Sequence, residues 1–143
     1  MKIIVYTDGA CSGNPGIGGW GAVIIVKDNK PIHLSGGSNL TTNNQMELMA
    51  AIKVLEYFKE SKEIDIFTDS KYLMNGIESW IKNWKQNGWK TAAKKPVKNK
   101  ELWERLDMLI NNHSIEWKWV KGHAGNVNNE MADFLARKYI EEN

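Results

Sequence analysis

Residues 2–8, KIIVYTD, place apolar side chains at four consecutive positions, Ile3 to Tyr6, and then end on an acid, Asp8. A continuous apolar run suits a strand covered on both faces, whereas a half-solvated strand alternates polar and apolar residues. Ile64–Thr68 is a second short apolar run, and it too leads into an acid, Asp69. Strands covered on both sides imply helices above and below one sheet. If the two runs are parallel neighbours joined by a long crossover, Asp8 and Asp69 emerge at the same edge. In open α/β sheets that carboxyl edge is where ligands bind.

Outward from these strands the pattern alternates. Gly9–Gly19, GACSGNPGIGG, reads as a glycine-rich turn, and Trp20–Lys27 and Ile32–Ser35 read as two strands joined by Asp28-Asn29-Lys30. Thr41–Asn44 supplies helix-start chemistry for Met46–Lys59, whose Leu48, Ile52 and Leu55 share one face. Leu73, Ile77, Ile81 and Trp84 recur every three or four residues, so a helix is predicted over Ser70–Lys85 with a bend near Gly76. Gly88–Lys98 is a basic loop, and Asn99 can cap a helix carrying Leu102, Leu106 and Leu109. Ile115–Val120 alternates as a strand covered on one face, and Asn126 or Asn128 can start a last helix running to about Ile140. The order βββαβααβα describes one α/β domain over residues 1–143, a hairpin-extended mixed sheet with helices packed on it.

Composition narrows the class. With 143 residues, 42% apolar and 25% charged, the chain matches an ordinary globular domain and excludes wholesale disorder. Its apolar runs fall far short of the ~20 residues of a membrane span. Met-Lys followed by four apolar residues is not a secretory signal. A single cysteine, Cys11, makes no internal disulfide and no zinc site on its own. These features predict a cytosolic protein. The net charge is only +2, yet Ile81–Lys100 holds seven lysines and no acid, with Trp80, Trp84 and Trp89 in or beside the stretch. A basic patch on a nearly neutral protein points to a polyanion at one face.

Each candidate acid has a structural as well as a chemical reading. Asp8-Gly9 is a turn dipeptide, and Asp69-Ser70 can cap a helix. Glu47 completes capping-box spacing from Asn44, but its neighbours Met46 and Leu48 turn it partly inward, where a carboxylate needs a partner. Asp133 lies beside the apolar stripe of the last helix and can pair with Arg137 at i+4. Four carboxylates from four elements change the balance, because clustered acids repel unless cations neutralise them. An all-oxygen site without a nearby thiol or imidazole ligand selects Mg2+ or Mn2+, and two such ions can clamp the attacking and leaving oxygens of a phosphodiester.

Other residues are less specific. His123 sits between glycines in Lys121–Gly125, a mobile setting that suits a proton carrier or a product-release gate, whereas His33 and His113 read as surface residues. The Gly9–Gly19 loop lacks the Lys-Ser/Thr ending of a phosphate-binding P-loop, though its glycines let backbone N–H groups approach a phosphate or sugar. Asn14, Asn43 and Asn44 offer amides. Trp80, Trp84 and Trp103 fit helical packing stripes, which leaves Trp89 as the stronger nucleic-acid candidate.

Taken together, the segments TDGACSGNPGIGGWGA, TTNNQMELMAAI, TDSKYL, NGWKTAAKKPVKNKELW and WVKGHAGNVNNEMAD make the whole chain resemble bacterial type 1 ribonuclease H. The resemblance implies the ribonuclease H fold, a five-stranded mixed sheet in the order 3-2-1-4-5 with helices on both faces. It implies a metal-dependent endonuclease cutting the RNA strand of an RNA–DNA hybrid with little sequence preference, leaving 5′-phosphate and 3′-OH ends. Asp8, Glu47, Asp69 and Asp133 match the family's acidic tetrad for two Mg2+ ions, with Mn2+ as a substitute, and His123 its mobile-loop histidine. Cys11, Asn14, Asn43 and Asn44 match hybrid-contacting positions and Thr42 a DNA-phosphate contact. Residues 80–98 match a basic protrusion in which Trp80, Trp84, Trp89, Lys90, Lys94, Lys95 and Lys98 are the candidate contacts. A monomer without an obligate protein partner or membrane association is expected.

The chain departs from the family at Lys71, where close relatives often carry Gln, and at Gly125–Asn128, where they often have a Pro-Glu step. Scattered histidines and convergent acids favour water activated on a metal over attack by the 2′-OH, and 2′-OH contacts distinguish the strands. A non-catalytic duplex-binding module would not need all four acids. A DNA nuclease or transposase core would share them but would usually carry further DNA-binding domains.

Overall fold

The computed structural model describes residues 2–122 and 124–143. Its five strands are β1 (Lys2–Ser12), β2 (Gly16–Ile25), β3 (Ile32–Thr41), β4 (Glu63–Thr68) and β5 (Ser114–Trp119), in the order β3-β2-β1-β4-β5. β1 pairs antiparallel with β2 and parallel with β4, and β4 pairs parallel with β5. The expected mixed sheet and strand order are therefore present. Helices α1 (Asn43–Tyr57), α2 (Lys71–Asn75), α3 (Ile81–Asn87), α4 (Lys100–Ile110) and α5 (Val127–Glu142) complete the order, with a π-helical turn, Gly76–Trp80, between α2 and α3.

The pleat sorts the two faces. Ile3, Val5, Ile64 and Ile66 point to one side and meet Leu48, Ile52 and Leu55 of α1, Leu73 of α2, and Trp103 and Leu106 of α4 in the main core. Tyr6 and Val23 point to the other side and meet Ala132 and Leu135 of α5. No described helix is long and apolar enough to cross a membrane.

Several boundaries differ from the sequence reading. The first strand does not end at Asp8. β1 runs to Ser12, β2 begins at Gly16, and most of the glycine-rich segment is strand rather than turn. β3 likewise extends past Ser35 to Thr41. Glycine reads as turn from its backbone freedom, but here it is demanded by close packing: side chains on Gly19 and Gly21 would collide with the α5 backbone at Ala136 and Ala132. Asn44 does not start α1. Thr42 is the N-cap, its hydroxyl accepting from Gln45 N–H at 3.2 Å. Glu47 thus lies in the second turn, outside any capping box. The helix expected over 70–85 is present as α2, the π turn and α3, and the π turn begins at Gly76. Gly76 is needed there because the Trp103 ring lies against its Cα.

Candidate active site

The parallel ladder of β1 with β4 stops at Thr7–Thr68, one residue before each acid. Asp8 and Asp69 therefore leave adjacent strands at the same edge. Glu47 arrives from α1, and its approach depends on Gly9: a Cβ there would stand 2.5 Å from Glu47 N. Asp8, Glu47 and Asp69 each offer a carboxylate oxygen, and these oxygens lie within 4.8 Å of one another. Asp8 and Glu47 are buried, and Asp69 is half-buried.

Such crowding favours the protonated forms. Burial pushes the Asp8 carboxyl up to about 8; the Asp69 charge adds to this, as do a hydrogen bond and the charge of Asp133, against a hydrogen bond from Gly9 N–H. Burial, then the charges of Asp8 and Asp69, hold the Glu47 carboxyl well above the usual carboxylate range, opposed by hydrogen bonds from Gly9 N–H and the Ser70 hydroxyl. Glu47 Oε1 is buried without a hydrogen-bond partner among the described residues. A divalent cation meets both needs, since it neutralises the acids and supplies the missing partner. The donor set is all oxygen, which fits a hard cation.

Asp133 stands at the margin of this group. It projects from α5 towards Asp8, and its carboxylate also pairs with Arg137 Nε at 3.3 Å. The i+4 ion pair with Arg137 is therefore present, while the carboxylates that converge within 4.8 Å are Asp8, Glu47 and Asp69. His123 lies outside the described residues. Its neighbour Gly122 does not: a Cβ on Gly122 would stand 2.7 Å from Asp69 Oδ2, so the loop after β5 passes directly against the acid.

The candidate contact residues fall into two groups. Cys11 and Asn14 lie on the β1–β2 hairpin, and Thr42, Asn43 and Asn44 start α1. The groups meet where Asn43 N–H donates to Asn14 Oδ1 at 3.0 Å. Across α1, Gln45 Nε2 donates to Asn99 Oδ1 at 3.1 Å, and Asn99 Nδ2 donates to the Tyr72 hydroxyl at 3.0 Å. This relay ties α1 to the basic segment. Asn99 starts α4 as expected but makes no side-chain cap bond, because its amide is committed to this network.

In the basic segment Lys90, Lys94, Lys95 and Lys98 are exposed. The loop is held by Val97 N–H to Trp89 C=O at 3.0 Å and Thr91 N–H to Lys95 C=O at 2.7 Å. Trp89 is half-buried and packs on Trp84, with ring centroids 5.9 Å apart, so it extends the Trp80–Trp84–Trp103 cluster rather than standing free. His113 is also structural, its Nδ1 accepting from Lys62 N–H at 3.1 Å. Sequence reasoning missed Gly9, Ser70 and Asn99 as supports of the site. The signal for Gly9 was present in Asp8-Gly9 but reads equally as a turn.

Residues 1–141 match the model of the RNase H family. A ribonuclease H of Francisella tularensis subsp. novicida is 61% identical over 142 residues, covering 99% of this chain and 92% of the relative. LC9-RNase H1, a type 1 RNase H with the type 2 active-site motif, superposes with a TM-score of 0.85 at 31% identity, covering 96% of this chain and 71% of that one. LC11-RNase H1, solved in complex with an RNA/DNA hybrid, gives 0.73 at 25% identity over 98% and 97%. The chain belongs to the ribonuclease H family of endoribonucleases, in its bacterial type 1 branch.

Proposed function

We propose that residues 1–143 form one ribonuclease H domain that hydrolyses the RNA strand of RNA–DNA hybrids, with little sequence preference, leaving 5′-phosphate and 3′-OH ends. The observation that carries this reading is the convergence of carboxylate oxygens of Asp8, Glu47 and Asp69 within 4.8 Å, with Glu47 Oε1 unpartnered among the described residues. The solved relative bound to an RNA/DNA hybrid supports the substrate. Asp8, Glu47, Asp69 and Asp133 would hold two Mg2+ ions, or Mn2+ in their place. When bound, the pair supplies water activation and charge neutralisation at the phosphodiester.

The chain's own groups do the rest. Gly9 N–H and Ser70 orient Glu47, and Arg137 orients Asp133. His123 carries a proton or gates product release. Cys11, Asn14, Asn43 and Asn44 meet the hybrid, Thr42 meets a DNA phosphate, and Trp80, Trp84, Trp89 and the exposed lysines grip the duplex from the side. Backbone contacts of this sort fix register without reading sequence. We place the enzyme in the cytoplasm as a monomer.

The test is incubation with labelled RNA–DNA, RNA–RNA and DNA–DNA duplexes, with and without Mg2+. Cleavage of the RNA strand in the hybrid alone, only with the ion, is expected. Metal-independent cleavage, or equal cutting of all three duplexes, overturns the reading.

A further inference from the structure

On the side of Asp69 away from β1, α2, the π turn and the end of β5 border a shallow, open groove of about 320 Å3 lined by Lys71, Met74, Asn75, Glu78 and Trp119. Trp119 pairs with Thr68, the residue before Asp69, so the groove opens beside the acidic cluster. Along β5 the residues that share its side of the pleat, Ile115 and Trp117, pack on the main core. Trp119 does not, and it is 48% exposed. An indole left half in water, with a methionine on the facing wall, is an apolar surface awaiting a flat partner.

The polar groups of the groove are graded along it. Lys71 stands at the end next to Ser70 and Asp69, Asn75 lies one turn further along, and Glu78 lies beyond that. A cation near the acidic cluster attracts a phosphate, and Glu78 repels one from the far end. The amide and carboxylate offer a donor and acceptors to a base edge. The volume suits a single nucleotide and is too small for a duplex. Lys71 lies two residues after Asp69, which puts the groove's basic end next to that acid.

We propose that this groove binds one unpaired nucleotide of the RNA strand where that strand leaves the hybrid, its base stacked on Trp119 and its phosphate at Lys71. The inference rests on the hybrid-cleaving reading above and adds a preference for hybrid ends and junctions over blunt duplexes. Stacking of one base on an aromatic ring, with a lysine on the backbone, is how single strands are held without sequence specificity.

The experiment compares a blunt RNA–DNA hybrid with the same hybrid carrying a short RNA overhang whose first unpaired base is 2-aminopurine. With Mg2+, the overhang should lower KM roughly tenfold. Trp119→Ala should abolish that gain while leaving KM for the blunt hybrid as it was, and Trp119→Phe should restore most of it. Lys71→Gln should reduce the salt slope of the overhang's contribution by about 0.7. Binding without metal should quench 2-aminopurine in the native protein and not in Trp119→Ala, a readout that survives even if no substrate is cleaved. Normal blunt cleavage with no overhang gain, a gain retained in Trp119→Ala, or an equal gain from a DNA overhang would each overturn the proposal.

Discussion

Gly9 and Glu47 meet backbone to backbone: a Cβ on Gly9 would lie 2.5 Å from Glu47 N and 2.7 Å from the carbonyl carbon of Met46. At this point α1 therefore rests on β1 with no side chain between them, and this contact sets Glu47 beside Asp8. Gly9→Ala should push α1 outward. Misplacement by about 1 Å costs on the order of 10²-fold in rate. Overpacking should also cost roughly 1–3 kcal/mol of stability. Steady-state cleavage of a hybrid together with Mg2+ titration calorimetry checks this; unchanged ion affinity would separate the glycine from the site.

Asp8→Asn should abolish cleavage and stabilise the metal-free protein. The Asp8 carboxyl sits at about 8 in the fold against 3.8 ordinarily, so the folded state binds its proton more tightly than the unfolded state. That contribution to stability is complete below pH 3.8 and is lost as pH rises through 8. Metal-free native protein should accordingly weaken from pH 4 to pH 8. Asp8→Asn should flatten that slope and gain on the order of 1–3 kcal/mol at pH 8. Thermal melts across this range, in chelator, decide it.

Divalent ions should reverse the same loss. At 100 times its dissociation constant, Mg2+ should add about 2.7 kcal/mol. For a domain of this length that is a rise in Tm of roughly 8 °C. No shift at pH 8 would remove the ion from the carboxylate cluster.

His123→Ala should slow turnover by ~10²–10⁴-fold, the usual worth of a general acid–base group. Mg2+ affinity should stay as it is, because this reading keeps His123 out of the coordination sphere. A large loss of ion binding would sink the assignment. Gly122→Ala should behave oppositely. Its new methyl would meet Asp69 Oδ2 at 2.7 Å, so ion binding should weaken along with rate.

Replacing Lys90, Lys94, Lys95 and Lys98 together with Ala should raise KM steeply and leave kcat nearly unchanged, since groups remote from the reacting bond act equally on ground and transition states. The salt slope of binding should fall by about 0.7–0.9 for each phosphate that is no longer neutralised. An unchanged slope would take the patch out of the interface.

Much of this was legible in the chain. The apolar runs before Asp8 and Asp69 read as strands covered on both faces, and the parallel pairing that would bring the two acids to one edge is present. The helical stripe through Gly76 was legible as well, though not that the turn beginning there is π-helical. What escaped were features set by partners distant in sequence. The glycines of β1 and β2 read as turn because their reason, the closeness of α1 and α5, lies more than a hundred residues away for Gly19 and Gly21. Trp89 read as a nucleic-acid contact because it lies in a lysine-rich loop, while its neighbour in space is Trp84. Glu47 read as a cap because spacing alone cannot choose between Thr42 and Asn44 as the first residue of α1.

Beyond Thr7 the sheet divides: β4 stops, and β1 runs on to Ser12 beside β2 alone. Alternate residues of this stretch turn their main-chain N–H and C=O groups away from β2, into the gap that β4 has vacated. Every amino acid but proline carries both groups, so any other substitution there alters a side chain and leaves the polar lip standing. Drift in sequence can reshape the hairpin's surface, but short of proline it leaves the hydrogen-bonding capacity of the rim next to Asp8 in place. That part of the molecule is written in backbone, and apart from Gly9, whose missing side chain admits α1, it asks little of the residues that carry it.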